Sequence, residues 1–241
     1  MAKARSLISR ALMLSVFCAH EAGAAGAGPE DYAAERAEMV SRQIADRGVS
    51  DERVLAAMRK VPRHEFVPDS EKRTAYRDTP LPIGESQTIS QPYIVALMTE
   101  LARPEKNHRV LEVGTGSGYQ AAVLAEIVDH VYSIEIEPTL ARTASDVLQR
   151  LGYDNVTVRS GDGYLGWAEH APFDAIVITA APDHVPEPLI GQLKPGGRMV
   201  VPVGPIASTQ QLRVLEKNAA GKVTSTVVAP VRFVPLRRRD D

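Results

Sequence analysis

An acid followed by three alternating glycines is the most chemically suggestive stretch of this 241-residue chain: Val110-Leu111-Glu112-Val113-Gly114-Thr115-Gly116-Ser117-Gly118-Tyr119. An apolar run that ends in such a string reads as a strand, a tight turn and a helix start. Glycine permits positive φ and removes the Cβ, so a ligand can lie against the main chain at the carboxyl end of the strand. The spacing is G-x-G-x-G and not the G-x-G-x-x-G of dinucleotide sites, which suits a nucleoside without a pyrophosphate. The plainer alternative is an ordinary strand-to-helix turn, so the residues that follow have to decide.

After an apolar helical stretch at 121–128, His130-Val131-Tyr132-Ser133-Ile134-Glu135-Ile136-Glu137 alternates as a strand. It delivers a carboxylate about 20 residues past the glycines, where an acid in α/β nucleotide sites accepts hydrogen bonds from the ribose hydroxyls. Glu135 is the better candidate because the apolar run stops at it, whereas Glu137 with Pro138 reads as the cap of the next helix. Its plain alternative is a solvated acid at a strand end. A third strand, Val156-Thr157-Val158-Arg159, runs into Ser160-Gly161-Asp162-Gly163. Asp162 could accept from an adenine amino group while the glycines let the base lie flat; taken singly, such an Asp is more often a turn former. Three features of this kind at three successive strand ends argue together for one nucleoside site.

The elements that must hold these residues follow from periodicity. Strand, helix, strand, helix and strand alternate at 110–113, 119–128, 131–136, 139–151 and 156–159. The apolar run at 173–179 has the character of a central parallel strand buried on both faces. A short helix at 186–193 leads through Lys194-Pro195-Gly196-Gly197 to a strand at 198–203, and 210–216 with 223–228 look like a closing antiparallel hairpin. The fold class expected is α/β, a doubly wound and mostly parallel sheet with antiparallel C-terminal strands and an N-terminal helical extension. In that extension, 31–47 and 51–60 have helical periodicity, with Gly48 as a stop. The proline-bounded 61–68 is too short for a long helix, 79–91 is expected to be loop, and Pro92 opens a helix to about Leu101. The organisation expected is a leader or disordered extension at 1–29, a helical and substrate-loop region at 30–104 and a ligand-binding domain at 105–241.

Composition narrows the classes. With 28 Lys and Arg against 30 Asp and Glu, a net charge of −2, there is no electrostatic case for nucleic acid. No stretch approaches the roughly 20 apolar residues that span a bilayer, so no stable membrane association is expected. Cys18 is the only cysteine, which removes an intramolecular disulfide, a multi-cysteine metal site and a cysteine nucleophile in the globular part; no metal is expected. Residues 1–29 have the outline of a signal peptide: Lys3, Arg5 and Arg10 precede an apolar 11–19, and 22–28 is rich in Ala and Gly. The alternative is an unstructured extension. Arg237-Arg238-Arg239, followed by two Asp, reads as a solvated tail.

With these residues in order, the chain resembles the class I S-adenosylmethionine-dependent methyltransferases and, within them, the protein-L-isoaspartate (D-aspartate) O-methyltransferases, over about residues 31–236. The general class rests on the glycine loop, Glu135 and Gly161-Asp162-Gly163. The particular family rests on sharper strings: 61–68, Gln87-Thr88-Ile89-Ser90-Gln91-Pro92, Gly118-Tyr119-Gln120-Ala121-Ala122, 173–181 and Leu193-Lys194-Pro195-Gly196-Gly197-Arg198. One departure is Ser86, where the family usually has glycine, so the loop is expected to be stiffer here.

The resemblance implies a Rossmann-like methyltransferase domain at 105–241 with S-adenosyl-L-methionine as cofactor. It implies methyl transfer to the free carboxylate of L-isoaspartyl, and also D-aspartyl, residues in damaged proteins and peptides, initiating repair. Cofactor contacts fall to Glu112, Gly114, Gly116, Ser117, Gly118, Tyr119, Glu135, Gly161, Asp162 and Gly163. Ser90 corresponds to the active-site serine of the family's Thr-Ile-Ser motif. A sulfonium methyl is already activated and an isoaspartyl carboxylate is ionised near pH 7, so no strong general base is required. The hydroxyls of Thr88 and Ser90 could hold one carboxylate oxygen while the other attacks, with Gln91, Thr179 and Ala180 beside the substrate. Ser90 has a rival role as N-cap of the helix at Pro92. Small Ala180 and Ala181 should let an extended peptide approach. His64 is expected to make a structural hydrogen bond, His184 to be a loop residue, and Tyr164 and Trp167 to pack. A monomer is expected, and residence in the cytoplasm, where the methyl donor is made, with periplasmic export as the rival. Alternative functions are a methyltransferase for a small-molecule carboxylate, a noncatalytic nucleoside-binding module and a nicotinamide oxidoreductase.

Overall fold

The computed structural model describes residues 29–205 and 208–238. The leader expected at 1–29 lies outside them except for Pro29. Helix α1 (Pro29–Glu38) passes into a π-helical turn, Met39–Ile44, and a 3-10 turn, Ala45–Arg47, so the single helix expected over 31–47 changes pitch twice. The wide turn keeps Met39, Val40 and Ile44 all buried and lets Gln43 Nε2 donate to the Tyr76 carbonyl at 3.1 Å. Helix α2 (Glu52–Lys60) starts on Asp51, whose carboxylate accepts from Arg53 N at 2.9 Å.

Segment 79–91 is not the loop expected. Strand β1 (Leu81–Gly84) pairs antiparallel with β2 (Gln87–Ile89) through a two-residue connection. Glu85 and Ser86 both take positive φ, 48° and 55°, the conformation of a type I′ hairpin turn. That turn normally announces itself by Asn-Gly or Gly-Gly; here neither residue is glycine, and the prolines at 80 and 82 hide the strand further. Helix α3 (Pro92–Ala102) follows directly.

The central sheet is built from β3 (Arg109–Val113), β4 (His130–Glu135), β5 (Val156–Ser160), β6 (Phe173–Ile178), β7 (Leu193–Val203), β8 (Gln210–Lys217) and β9 (Val223–Val231). Among the described residues its order is β5-β4-β3-β6-β7-β8-β9, parallel from β5 to β7 and antiparallel from there on, as the sequence pattern required. Helices α4 (Tyr119–Ala125), α5 (Pro138–Arg150) and α6 (Glu187–Gln192) make the crossovers. Alternate residues of the inner strands serve two apolar cores: Val110, Ala175 and Val177 join α2 to α4, while Leu111, Val113, Ile176 and Ile178 join Trp167 and Leu189. The first core takes in Met39, Met58, Met98 and the central strands alike, so the N-terminal helices and the sheet share it. Among the described residues no helix is long and apolar enough to cross a membrane.

The basic tail is not simply solvated. After β9 the chain returns over the strand ends: Ala181 N donates to Val234 O and Leu236 N to Ala181 O, both at 2.8 Å, with Pro235 bridged to Ala181. The apolar 233–236 is thereby pinned down and carries Arg237 and Arg238 with it. Arg237 pairs with Glu137, and the Arg238 guanidinium lies 3.9 Å over the Tyr164 ring.

Candidate functional site

Strand order reverses between β3 and β6, and the crevice of such a sheet opens at the carboxyl ends of those strands. Beyond β3 the chain turns at Gly114, φ 98°, where a Cβ would stand 2.5 Å from Thr179 Oγ1. The Thr179 hydroxyl donates to Gly114 O at 2.5 Å, fastening the end of β6 to the start of the loop. Gly116, φ 53°, lies under Ile83 of the β1–β2 hairpin, and its N–H donates to Glu135 Oε2 at 2.7 Å. Glu137 N donates to the other oxygen, Oε1, at 3.0 Å. Glu135, only 5% exposed, is therefore aimed by two main-chain donors, one from each neighbouring loop.

Around this carboxylate lies a tight cleft of about 60 Å³. Its wall includes Gly114, Gly116, Ser117, Tyr119, Glu135, Gly163, Thr179 and Ala180, closed by 87–90 of the hairpin segment on one side and by 234–237 of the C-terminal arm on the other. Of the other residues expected at the cofactor, Gly118, Gly161 and Asp162 stand off this wall. A Cβ on Gly118 would meet Leu148 at 3.2 Å, so that glycine serves the packing of α4 on α5. Asp162 caps the turn after β5, its Oδ1 accepting from Tyr164 N at 2.8 Å.

Glu112 does not line the cleft either, contrary to its expected place among the cofactor contacts. Strand alternation turns it to the face opposite Val113, level with Ser133 of β4 and fully buried. The Ser133 hydroxyl donates to Glu112 Oε2 and lies 2.5 Å from Thr115 Oγ1, while Glu112 Oε1 has no hydrogen-bond partner among the described residues. Burial pushes this acid up to about 8, against the Ser133 hydrogen bond and aided by the charge of Glu135. Glu112 thus supports the glycine loop from beneath through Ser133 and Thr115. Tyr119, 1% exposed, is backed similarly by buried Arg63, whose guanidinium lies 4.8 Å from the ring centroid.

A second cleft, of about 450 Å³, adjoins the first and shares Thr88, Ser90, Thr179 and Val234 with it. Gln91, Ile94, Thr209 and 230–233 complete most of its wall. The capping role open to Ser90 goes to Asp78. Tyr93 N donates to Asp78 Oδ1 at 3.2 Å, Gln91 Nε2 donates to Oδ2 at 2.6 Å, and Arg47 pairs with the same carboxylate. Among the described residues the hydroxyls of Thr88 and Ser90 have no hydrogen-bond partner, and both border the two clefts. Ala181 spends its N–H and C=O on the chain's own arm, so these main-chain groups are already paired. His64 Nδ1 lies 2.7 Å from Tyr76 Oη and its ring stacks on Tyr32, a structural role; His184 is exposed beside Asp183, and Tyr164 and Trp167 are buried.

The sequence profile of the protein-L-isoaspartate(D-aspartate) O-methyltransferases matches residues 34–241. The chain belongs to this family. Protein-L-isoaspartate O-methyltransferase 2 of Syntrophobacter fumaroxidans is 56% identical over 223 residues, 89% of this chain and 90% of that one. Its namesake from a Polaromonas strain is 63% identical over 77% of this chain and 88% of its own. Among solved structures, a protein-L-isoaspartate O-methyltransferase superposes with a TM-score of 0.77 at 32% identity, over 84% of this chain; the chain spans 66% of that relative's length. A Plasmodium falciparum chain solved with S-adenosyl-L-homocysteine shares the fold, with a TM-score of 0.72 at 24% identity over 84% of this chain and 98% of that one.

Several residues of the site escaped the sequence reading. The arm 234–237 forms a wall of the first cleft, and its only local signal is an apolar run closed by Pro235 just beyond the last strand. Asp78 and the Ser133–Thr115 pair act through partners distant in sequence, and no spacing announces them.

Proposed function

We propose that this chain transfers the methyl group of S-adenosyl-L-methionine to the free carboxylate of L-isoaspartyl residues, and of D-aspartyl residues, in damaged proteins and peptides, opening their repair. The observation that carries the reading is the junction of the two clefts, where Thr88 and Ser90, two hydroxyls without hydrogen-bond partners among the described residues, stand with Thr179, itself bonded to Gly114 of the glycine loop. The donor set fits a nucleoside: a buried carboxylate held by main-chain N–H groups for the ribose, and a glycine-lined floor that a Cβ would fill. The β1–β2 hairpin segment and the C-terminal arm are the two walls that would flank such a molecule.

When bound, the cofactor supplies a methyl carbon on a sulfonium, already activated for displacement. The chain's own part is placement. Thr88 and Ser90 donate to one oxygen of the substrate carboxylate and leave the other in line with the methyl; the hairpin and arm exclude water. No proton has to be removed, because the nucleophile is a carboxylate near pH 7. An isoaspartyl residue routes the main chain through its side-chain carboxyl and leaves the α-carboxylate one methylene closer to the backbone than a normal β-carboxylate. A cleft that fixes the peptide places only the altered carboxylate in line, and a displacement of about 1 Å can cost roughly a hundredfold in rate. The neighbouring backbone amide nitrogen then attacks the ester carbonyl without help, and the methoxy group leaves as methanol with the amide proton; hydrolysis of the succinimide so formed returns some normal aspartate.

The test is transfer of labelled methyl groups to matched L-isoaspartyl and L-aspartyl peptides, with a preference of about a hundredfold or more expected for the former. Equal rates on the pair would reject the reading, as would methylation of a small carboxylate with neither peptide touched. The cytoplasm, where the methyl donor is made, is the proposed place of action, and cell fractionation tests it.

A further inference from the structure

The second cleft carries one charge. Of the residues lining it, Arg232 alone is ionisable, and it is exposed with neither a hydrogen bond nor an ion pair among the described residues. Asp78, the carboxylate behind Gln91, is already neutralised by Arg47. The root of Arg232 is fixed on both sides: Val231 is paired with Gln210 in the sheet, and Phe233 N donates to the Gln210 side chain at 2.9 Å. Val234, at the junction of the clefts, is two residues on, at most about 7 Å along the backbone. A peptide whose damaged carboxylate sits at that junction therefore brings the side chains of its immediate neighbours within reach of the guanidinium.

We propose that Arg232 is a specificity-determining residue that favours isoaspartyl substrates with an acidic side chain next to the damaged residue and disfavours those with a basic one. The inference rests on the assignment of this cleft to the peptide. Arg232 has no means of telling isoaspartate from aspartate, because both carboxylates carry the same charge; its discrimination falls on the neighbours. The pair it forms is solvent-exposed and modest. Attraction to Glu and repulsion of Lys together amount to about a three- to tenfold ratio in kcat/KM at low salt. That ratio should fade at about 1 M salt, where the screening length is about 3 Å.

The experiment uses isoaspartyl peptides in two sets of three that differ only in one flanking residue, Glu, Gln or Lys, placed before the isoaspartate in one set and after it in the other. Methyl transfer is measured for the full chain, for Arg232→Gln and for Arg232→Glu. Fluorescence anisotropy of the same labelled peptides, in the presence of S-adenosyl-L-homocysteine, gives a readout independent of turnover. The Glu-to-Lys ratio should exceed threefold in the wild type on at least one side, fall to near one in Arg232→Gln and invert in Arg232→Glu, with dissociation constants following. If the Gln peptide is methylated but the wild-type ratio is near one, or survives unchanged in Arg232→Gln, the inference is overturned while the proposed function stands. If none of the isoaspartyl peptides is methylated, the proposed function fails and takes the inference with it.

Discussion

Replacing Glu112 by Gln should change the pH dependence of stability more than any other substitution near the site. The acid is fully buried, with one oxygen unpartnered among the described residues, and burial pushes its pKa up to about 8 in the native state against 4.5 for an ordinary Glu. Below pH 4.5 native and unfolded chains both hold the proton, and the buried neutral acid costs nothing extra. Between 4.5 and about 8 the unfolded chain releases it and the native chain does not, so native stability is lost as pH rises. Each unit is worth about 1.4 kcal/mol, which makes the loss about 3 kcal/mol at pH 7 and about 5 kcal/mol from pH 8 upward, where it levels off. Glutamine is neutral throughout and accepts from Ser133 with its amide oxygen, so the variant lacks this slope. Urea unfolding of both proteins from pH 4.5 to 8.5, compared as a difference, isolates the group from every other titration. The variant should gain on the wild type steadily across that range. Parallel curves, with a difference that varies by less than about 1 kcal/mol, would refute a buried neutral acid beneath the glycine loop.

Glu135→Ala should weaken S-adenosyl-L-homocysteine binding by about 1 to 3 kcal/mol in calorimetry, since it removes the ribose acceptor and the anchor of Gly116 and Glu137 together; unchanged affinity would empty the proposed cleft of its purpose. Ser90→Ala should lower methyl transfer about tenfold or more, the value of one hydrogen bond to a charged group, and leave cofactor affinity and Tm alone because Asp78 and not Ser90 caps α3. A matching fall in Tm would return Ser90 to a structural role. Ser86→Gly should stabilise the chain by about 1 kcal/mol, because glycine takes φ of 55° without penalty, and raise Tm by about 2 to 4 °C in a calorimetric scan. A lower Tm would mean that the hairpin turn does not hold that conformation.

What the sequence made legible is what adjacent residues determine. Glycine at 114 and 116 is demanded by the turn and by Thr179 and Ile83 standing close; the apolar run of β4 stops at Glu135 because the next residues leave the sheet. The order of strands and crossovers follows from the same local periods. The β1–β2 hairpin was hidden because its turn uses Glu85 and Ser86 in a conformation that ordinarily selects glycine, so the usual punctuation is missing. Glu112 was misplaced for a different reason. Its distance from the glycines suits a ligand contact, but in a strand one residue decides between two faces, and the partner that settles the matter, Ser133, lies 21 residues away on another strand.

The remaining walls of the site depend on contacts of still longer range. Thr179 reaches back 65 residues to Gly114, and Arg237 reaches back 100 to Glu137, which in turn donates its N–H to Glu135. These contacts couple the C-terminal arm to Glu135, the proposed ribose acid, through a single residue, Glu137. Because Arg232, at the mouth of the second cleft, lies just before this arm, both clefts depend on one strip of chain, 232–237, held by two main-chain hydrogen bonds to Ala181. A segment that closes the cofactor cleft while fixing the peptide side must be in place before the carboxylate can be brought in line, and that requirement ties substrate placement to the exclusion of water on physical grounds.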